Sequence, residues 1–174
     1  MIMTVEKLRT YISTDESDAI LKERLEAIEL LVRRYTNNNF QNRNIRYTVN
    51  IVGGCIVCPS AYLKTGDTIQ ISDSTYNAGL VTIQSASDDM LVFEEDLYDE
   101  NNVLITKVEY PPDVQMGVVK MIQWDLTNGK KVGIQSETIS RHSVTYFNMD
   151  GENQTAGYPK SLCGFMKQYI KARF

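Results

Sequence analysis

The chain has 174 residues, 43% hydrophobic and 23% charged, a composition ordinary for a globular protein with room for one core and a small second lobe. Its net charge of −4 excludes a general electrostatic pull toward nucleic acid or an anionic membrane. Three irregularly spaced cysteines exclude a disulfide framework, no basic stretch leading an apolar run marks a signal peptide, and no apolar run approaches the roughly 18 residues of a membrane span. The expectation is a reduced, intracellular, soluble chain with no membrane contact.

In chain order, Thr4 can cap a short helix reaching about Ile12, with Val5, Leu8 and Ile12 on one stripe and Glu6 in the first turn, where the helix dipole favours an anion. Ser13 to Asp18 is a polar break rich in capping residues. Leu21, Leu25, Ile28, Val32 and Tyr35 then repeat at helical spacing, and Asn37-Asn38-Asn39 stops that helix. After Asn44 the period changes to two. Tyr47, Val49 and Ile51 alternate with polar residues until Gly53-Gly54 breaks the strand. Turns at Thr65-Gly66-Asp67, Asn77-Ala78-Gly79, Asp88-Asp89 and Asn101-Asn102 separate further strands, of which Val103 to Tyr110 is the longest. About five short strands at this spacing suggest a small barrel or sandwich.

Pro111-Pro112-Asp113 returns the chain to helix, with Val114, Val118, Met121 and Ile122 inward and Asn128-Gly129 as its end. Lys130 to Gly157 is polar without helical period, and Ser143 to Phe147 is its strand-like piece. Tyr158-Pro159 opens a last helix with Leu162, Phe165, Met166 and Tyr169 on one face. The expected fold is therefore α+β. Residues 1–44 and 111–174 form a helical-bundle core, and 45–110 form an inserted small β-barrel or β-sandwich-like domain.

Candidate chemistry is sparse. Cys55-Ile-Val-Cys58 has the spacing of a zinc or redox half-site. A tetrahedral site needs two more ligands, and the pair lies between a glycine pair and Pro59 rather than at a helix start, so core or surface thiols are expected. His142 is the single histidine, and no nucleophile-elbow pattern surrounds Ser140, Ser143 or a cysteine. Glu94-Glu95-Asp96 with Asp99 and Glu100 lacks the calcium-loop spacing and reads as a solvated turn. Arg46, Lys64 and Lys107 face ten Asp and Glu between Arg46 and Tyr110, which argues against a nucleic-acid-binding barrel. No catalytic residue, cofactor or metal site is assigned, and an enzyme is not expected. The end of the chain leaves two readings open. Lys167, Lys171 and Arg173 suit a helix C-terminus, but Tyr169, Ile170 and Phe174 are apolar enough to make this stretch a partner interface.

Leu8, Tyr11-Ile12, Asp15, Asp18, Leu21, Leu25, Ala27-Ile28, Val32 and Tyr35-Thr36 through Phe40 resemble the opening helices of head–tail connector (adaptor, or head-completion) proteins of tailed bacteriophages. Ser136-Glu137-Thr138-Ile139-Ser140 with Ser143-Val144-Thr145-Tyr146 resembles the polar segment that these proteins carry before their last helix, and Tyr158 to Leu162 resembles its start. The resemblance covers the two ends and leaves the β segment unassigned. It implies a structural virion protein joining the portal to the neck, with the portal and the next neck or tail-completion protein as partners. It also implies a homo-oligomeric ring, a dodecamer in the family, through which double-stranded DNA passes. The expected location is the head–tail junction of the virion, after assembly in the host cytoplasm. A stopper or tail-completion protein of the same neck is the alternative, and a nucleic-acid-binding barrel on a helical scaffold is the alternative from another class.

Overall fold

The computed structural model describes residues 1–58, 61–128, 136–139, 142–145 and 153–172. Two compact units divide the chain: Met1–Thr4 with Asn39–Tyr110, and Val5–Asn38 with Pro111–Phe174.

The first unit is a closed antiparallel barrel of six strands: β1 (Gln41–Val52), β2 (Cys55–Val57), β3 (Thr68–Ser72), β4 (Gly79–Ala86), β5 (Met90–Phe93) and β6 (Glu100–Val108). The order around the barrel is β1-β2-β5-β4-β3-β6, and β6 closes it by pairing with β1 on one side and β3 on the other. The period-two pattern fills the interior. Val49 and Ile51, Ile69 and Ile71, Val81 and Ile83, Leu91 and Phe93, and Val103 and Ile105 each contribute an alternating inward pair to one buried cluster. Because neighbouring strands alternate in direction, the β1–β2, β3–β4 and β5–β6 connections all lie at the same end. At the other end, where the chain enters β1 and leaves β6, the Phe40 and Tyr110 rings meet at 4.8 Å and the Glu109 N–H donates to Phe40 O.

The expected helical-bundle core with a small β insert is not what forms. The chain begins in the barrel unit, and a closed six-stranded barrel beside four described helices stands where a helical bundle was expected to dominate. In the second unit the described helices are α1 (Val5–Arg9), α2 (Asp18–Thr36), α3 (Pro112–Asn128) and a 3-10 helix (Gly164–Tyr169). The two-stranded ribbons β7 (Ser136–Ile139) with β8 (His142–Thr145), and β9 (Gln154–Thr155) with β10 (Tyr158–Pro159), account for its other described regular structure.

The final helix fails for a local reason. Pro159 is paired in a ribbon, and Gly164 disfavours helix by about 1 kcal/mol relative to alanine. The stretch settles instead into i→i+3 turns, in which Leu162, Cys163 and Met166 donate to Pro159, Lys160 and Cys163. The first helix is likewise shorter than expected. By contrast, α2 starts at its Ser17 cap, whose hydroxyl accepts from Ile20 N, and ends at Asn37 in the left-handed conformation. α2 packs against α1, α3 and the 3-10 helix, burying Leu21, Leu25, Ile28 and Val32.

Gly117 on α3 sits where a Cβ would overlap the Phe165 ring. Gly117→Ala gains up to about 1 kcal/mol of helix propensity but overpacks this contact at about 1–3 kcal/mol, so the substitution is expected to lower the urea midpoint. In a Phe165→Ala background the overlap is gone, and Gly117→Ala is expected to raise the midpoint. A chemical-denaturation cycle over the four proteins checks this reversal of sign.

Candidate docking surface

At the end of the barrel where the β1–β2, β3–β4 and β5–β6 connections meet, carboxylates and an asparagine stitch the loops together. Gly53 and Gly54, with φ of 59° and 74°, form the two-residue turn between β1 and β2. Asp99 Oδ1 accepts from both of their N–H groups, at 2.7 and 3.4 Å. Glu100 Oε2 accepts from the Ser74 hydroxyl at 2.5 Å and from Asn77 Nδ2 at 2.9 Å, and Oε1 accepts from Thr75 N at 2.6 Å. Buried Asn77 bridges onward, donating to Tyr98 O at 3.0 Å and accepting from Tyr98 N at 2.8 Å. Glu95 takes the Thr82 N–H at 3.0 Å.

On these pinned loops stand Tyr76 and Tyr98. Their rings are 6.4 Å apart, edge to face, and 70% and 69% exposed. The bonds at Thr75 N, Tyr98 N and Tyr98 O fix the loop backbone that carries both rings. The acidic run is therefore more than the solvated turn expected of it, since Glu95, Asp99 and Glu100 each anchor backbone. Sequence reasoning missed the two tyrosines. The signal available was that both belong to turn segments, Asp73 to Asn77 and Glu94 to Glu100, where a large ring has no strand face to bury on.

The expected interface residues lie elsewhere. Tyr169 donates its hydroxyl to Asp113 Oδ1 at 2.7 Å, and Gln168 Nε2 donates to Asp113 Oδ2 at 2.5 Å. The Lys171 N–H takes Thr36 O at 2.8 Å, satisfying a terminal carbonyl of α2, and Asn37 Nδ2 donates to Ala172 O at 2.9 Å. The backbone here is thus fastened to its own unit, leaving Lys167, Lys171 and Ile170 exposed, Ile170 by 51%. Arg173 and Phe174 lie outside the described residues.

Polar groups also line a cleft of about 960 Å³ formed by Ser13 to Glu16, Arg24 and Asp125 to Thr127. Arg24 grips Glu16 through two bonds at 2.7 and 2.8 Å, and that pairing raises its pKa. Arg9 donates to Thr14 O, Glu16 O and Asp18 Oδ1. Tyr158 donates to Asp125 Oδ2 at 2.6 Å, and burial together with this bond pushes its phenol upward, so it stays a donor. These groups clamp the polar break before α2.

Cys55 and Cys58 are three residues apart along β2 and its continuation, so they face opposite ways. Cys58 belongs to the barrel core, where burial raises its pKa, while Cys55 is half-exposed. No group of three or more metal-binding side chains occurs among the described residues. His142 stands opposite Ile139 in the β7–β8 pair, and Ser140 lies outside the described residues. No described helix is long and apolar enough to cross a membrane. Neither a protein-family model nor a curated protein matches this chain.

Two expectations follow. The Ser74 hydroxyl and the Thr75 N–H hold the Glu100 carboxyl below its ordinary range. A depressed carboxylate contributes stability above its unfolded value of about 4.3 and loses it as pH falls through the folded value. Glu100→Gln is therefore expected to melt below the native protein near neutral pH, and the gap should narrow between about pH 5 and about pH 3, as read by thermal melts across that range. For the cysteines, Cys55→Ser should stay within about 0.5 kcal/mol of the native protein, while Cys58→Ser buries a hydroxyl at about 1–3 kcal/mol. Equilibrium dialysis against zinc should leave the native chain without stoichiometric metal.

Proposed function

We propose that this chain is a structural adaptor at the head–tail junction of a tailed phage, seated on the portal and offering the next neck component its surface. One observation carries the reading. The two stretches that resemble the connector family, from opposite ends of the chain, fall almost entirely within one compact unit, Val5–Asn38 with Pro111–Phe174. A resemblance scattered over unrelated parts of a fold would carry no such weight.

The surface of that unit supports the same reading. Leu30 and Ile20 on α2 are exposed, by 64% and 44%. Apolar side chains outside the buried stripe of a helix suit packing between neighbouring copies in a ring. In this reading the ring is homo-oligomeric, a dodecamer by family resemblance. Double-stranded DNA passes through it transiently, and the barrel is the part free to meet the following neck or tail-completion protein.

Mixing the chain with the assembled portal of the same virus tests the proposal. Mass photometry is expected to show the free chain as a monomer or weak oligomer, converted to a portal-bound ring on mixing. A chain that remains monomeric beside intact portal overturns it.

A further inference from the structure

We infer that the Tyr76–Tyr98 end of the barrel is a docking surface for an arginine-bearing basic segment of a partner protein. The inference rests on the barrel alone and holds whether or not the chain serves at a phage neck.

The surface itself is the exposed aromatic pair. Both rings are about 70% accessible and stand on loops tied by the Asn77, Asp99 and Glu100 bonds. Tyrosine has few rotatable bonds and so loses little freedom on binding, and it is enriched among the residues that dominate interfaces. Charge chooses the occupant. From Thr65 to Thr106 the chain carries nine Asp and Glu and no Lys or Arg. At the boundary, Lys107 is occupied with Asp67 at 2.8 Å and Glu109 at 3.4 Å. Exposed Asp73, Asp96 and Asp99 flank the tyrosines in sequence. A phosphate backbone is repelled by such a surface. A guanidinium fits it twice over: its flat face stacks on a phenol ring, and its edge donates two parallel bonds to a carboxylate. An ammonium fits less well, since it cannot do both with one planar group.

Fluorescence anisotropy with a labelled peptide of alternating arginine and glycine tests the assignment, with the lysine–glycine peptide and a DNA duplex as comparators at about 0.15 M salt. The arginine peptide is expected to bind more tightly than the lysine peptide, and the duplex not at all. Tyr76→Ala with Tyr98→Ala is expected to weaken the arginine peptide roughly ten-fold, whereas Tyr76→Phe with Tyr98→Phe retains binding because the ring face is kept. Circular dichroism confirms that the exposed substitutions leave the fold in place. Unchanged binding in the double alanine variant, equal binding of the lysine peptide, or no binding of the arginine peptide overturns the assignment. So does self-association of the native chain that the double alanine variant abolishes, which would make a second copy the occupant.

Discussion

Closure of the barrel through β6 is the constraint on which the first unit depends. A sheet with open edges presents unpaired N–H and C=O groups along both outer strands, and only closure removes them. β6 does so by pairing with β1 from Gln41 to Ile51 and with β3 from Thr68 to Ser72. Its inward residues Val103 and Ile105 belong to the same buried cluster as the alternating pairs of the other strands. The register is set by that alternation, because a slip of one residue would turn Ile105 outward and Thr106 inward. The irregular pairing between Asn42 and Arg46 absorbs the curvature needed to bring β1 round to β6.

Closure also brings chemistry together that the sequence keeps apart. Glu100 begins β6, and Asp99 ends the loop before it, so both carboxylates stand at the rim where the β1–β2 and β3–β4 connections arrive. Each accepts from main-chain N–H groups that lie outside the ladders, which are the donors most in need of partners. Charge-assisted bonds of this kind are stronger than neutral ones. They give the rim an order that six strands alone would not impose on loops of this length. Rigidity of the rim is what turns two exposed tyrosines from solvated side chains into a presented surface.

The barrel was legible where residues obey a short period. Tyr47, Val49 and Ile51, or Thr68 to Ser72, announce strands through alternation that only a one-sided core requires. β2 was not legible, because three residues beside a glycine pair carry too little pattern. The glycines that read as a strand break are in fact the turn that makes the hairpin. α2 and α3 were legible through caps and apolar stripes. The last helix was not, because Leu162, Phe165, Met166 and Tyr169 keep helical spacing while Pro159 and Gly164 undermine the backbone that would carry it. Periodicity reports which side chains seek burial, and it is silent on whether the main chain between them can hold an α-helix. The candidate surface was the least legible part. Exposure is a property of tertiary placement: the turn segment Asp73 to Asn77 says that Tyr76 has no strand face to bury on, but not whether another part of the fold covers its ring.

Charge is divided unevenly between the two units. Met1–Thr4 with Asn39–Tyr110 holds four Lys and Arg against ten Asp and Glu, a balance of −6, while the remainder holds fourteen against twelve, a balance of +2. An exposed aromatic pair on a neutral protein invites association of like surfaces, since each ring offers apolar area to its counterpart on another copy. Here the rings stand among carboxylates of the more acidic unit, so two such rims repel one another as they approach. The same field that draws a basic partner toward the tyrosines keeps them from pairing with themselves, so the surface can stay exposed until a segment of opposite charge arrives.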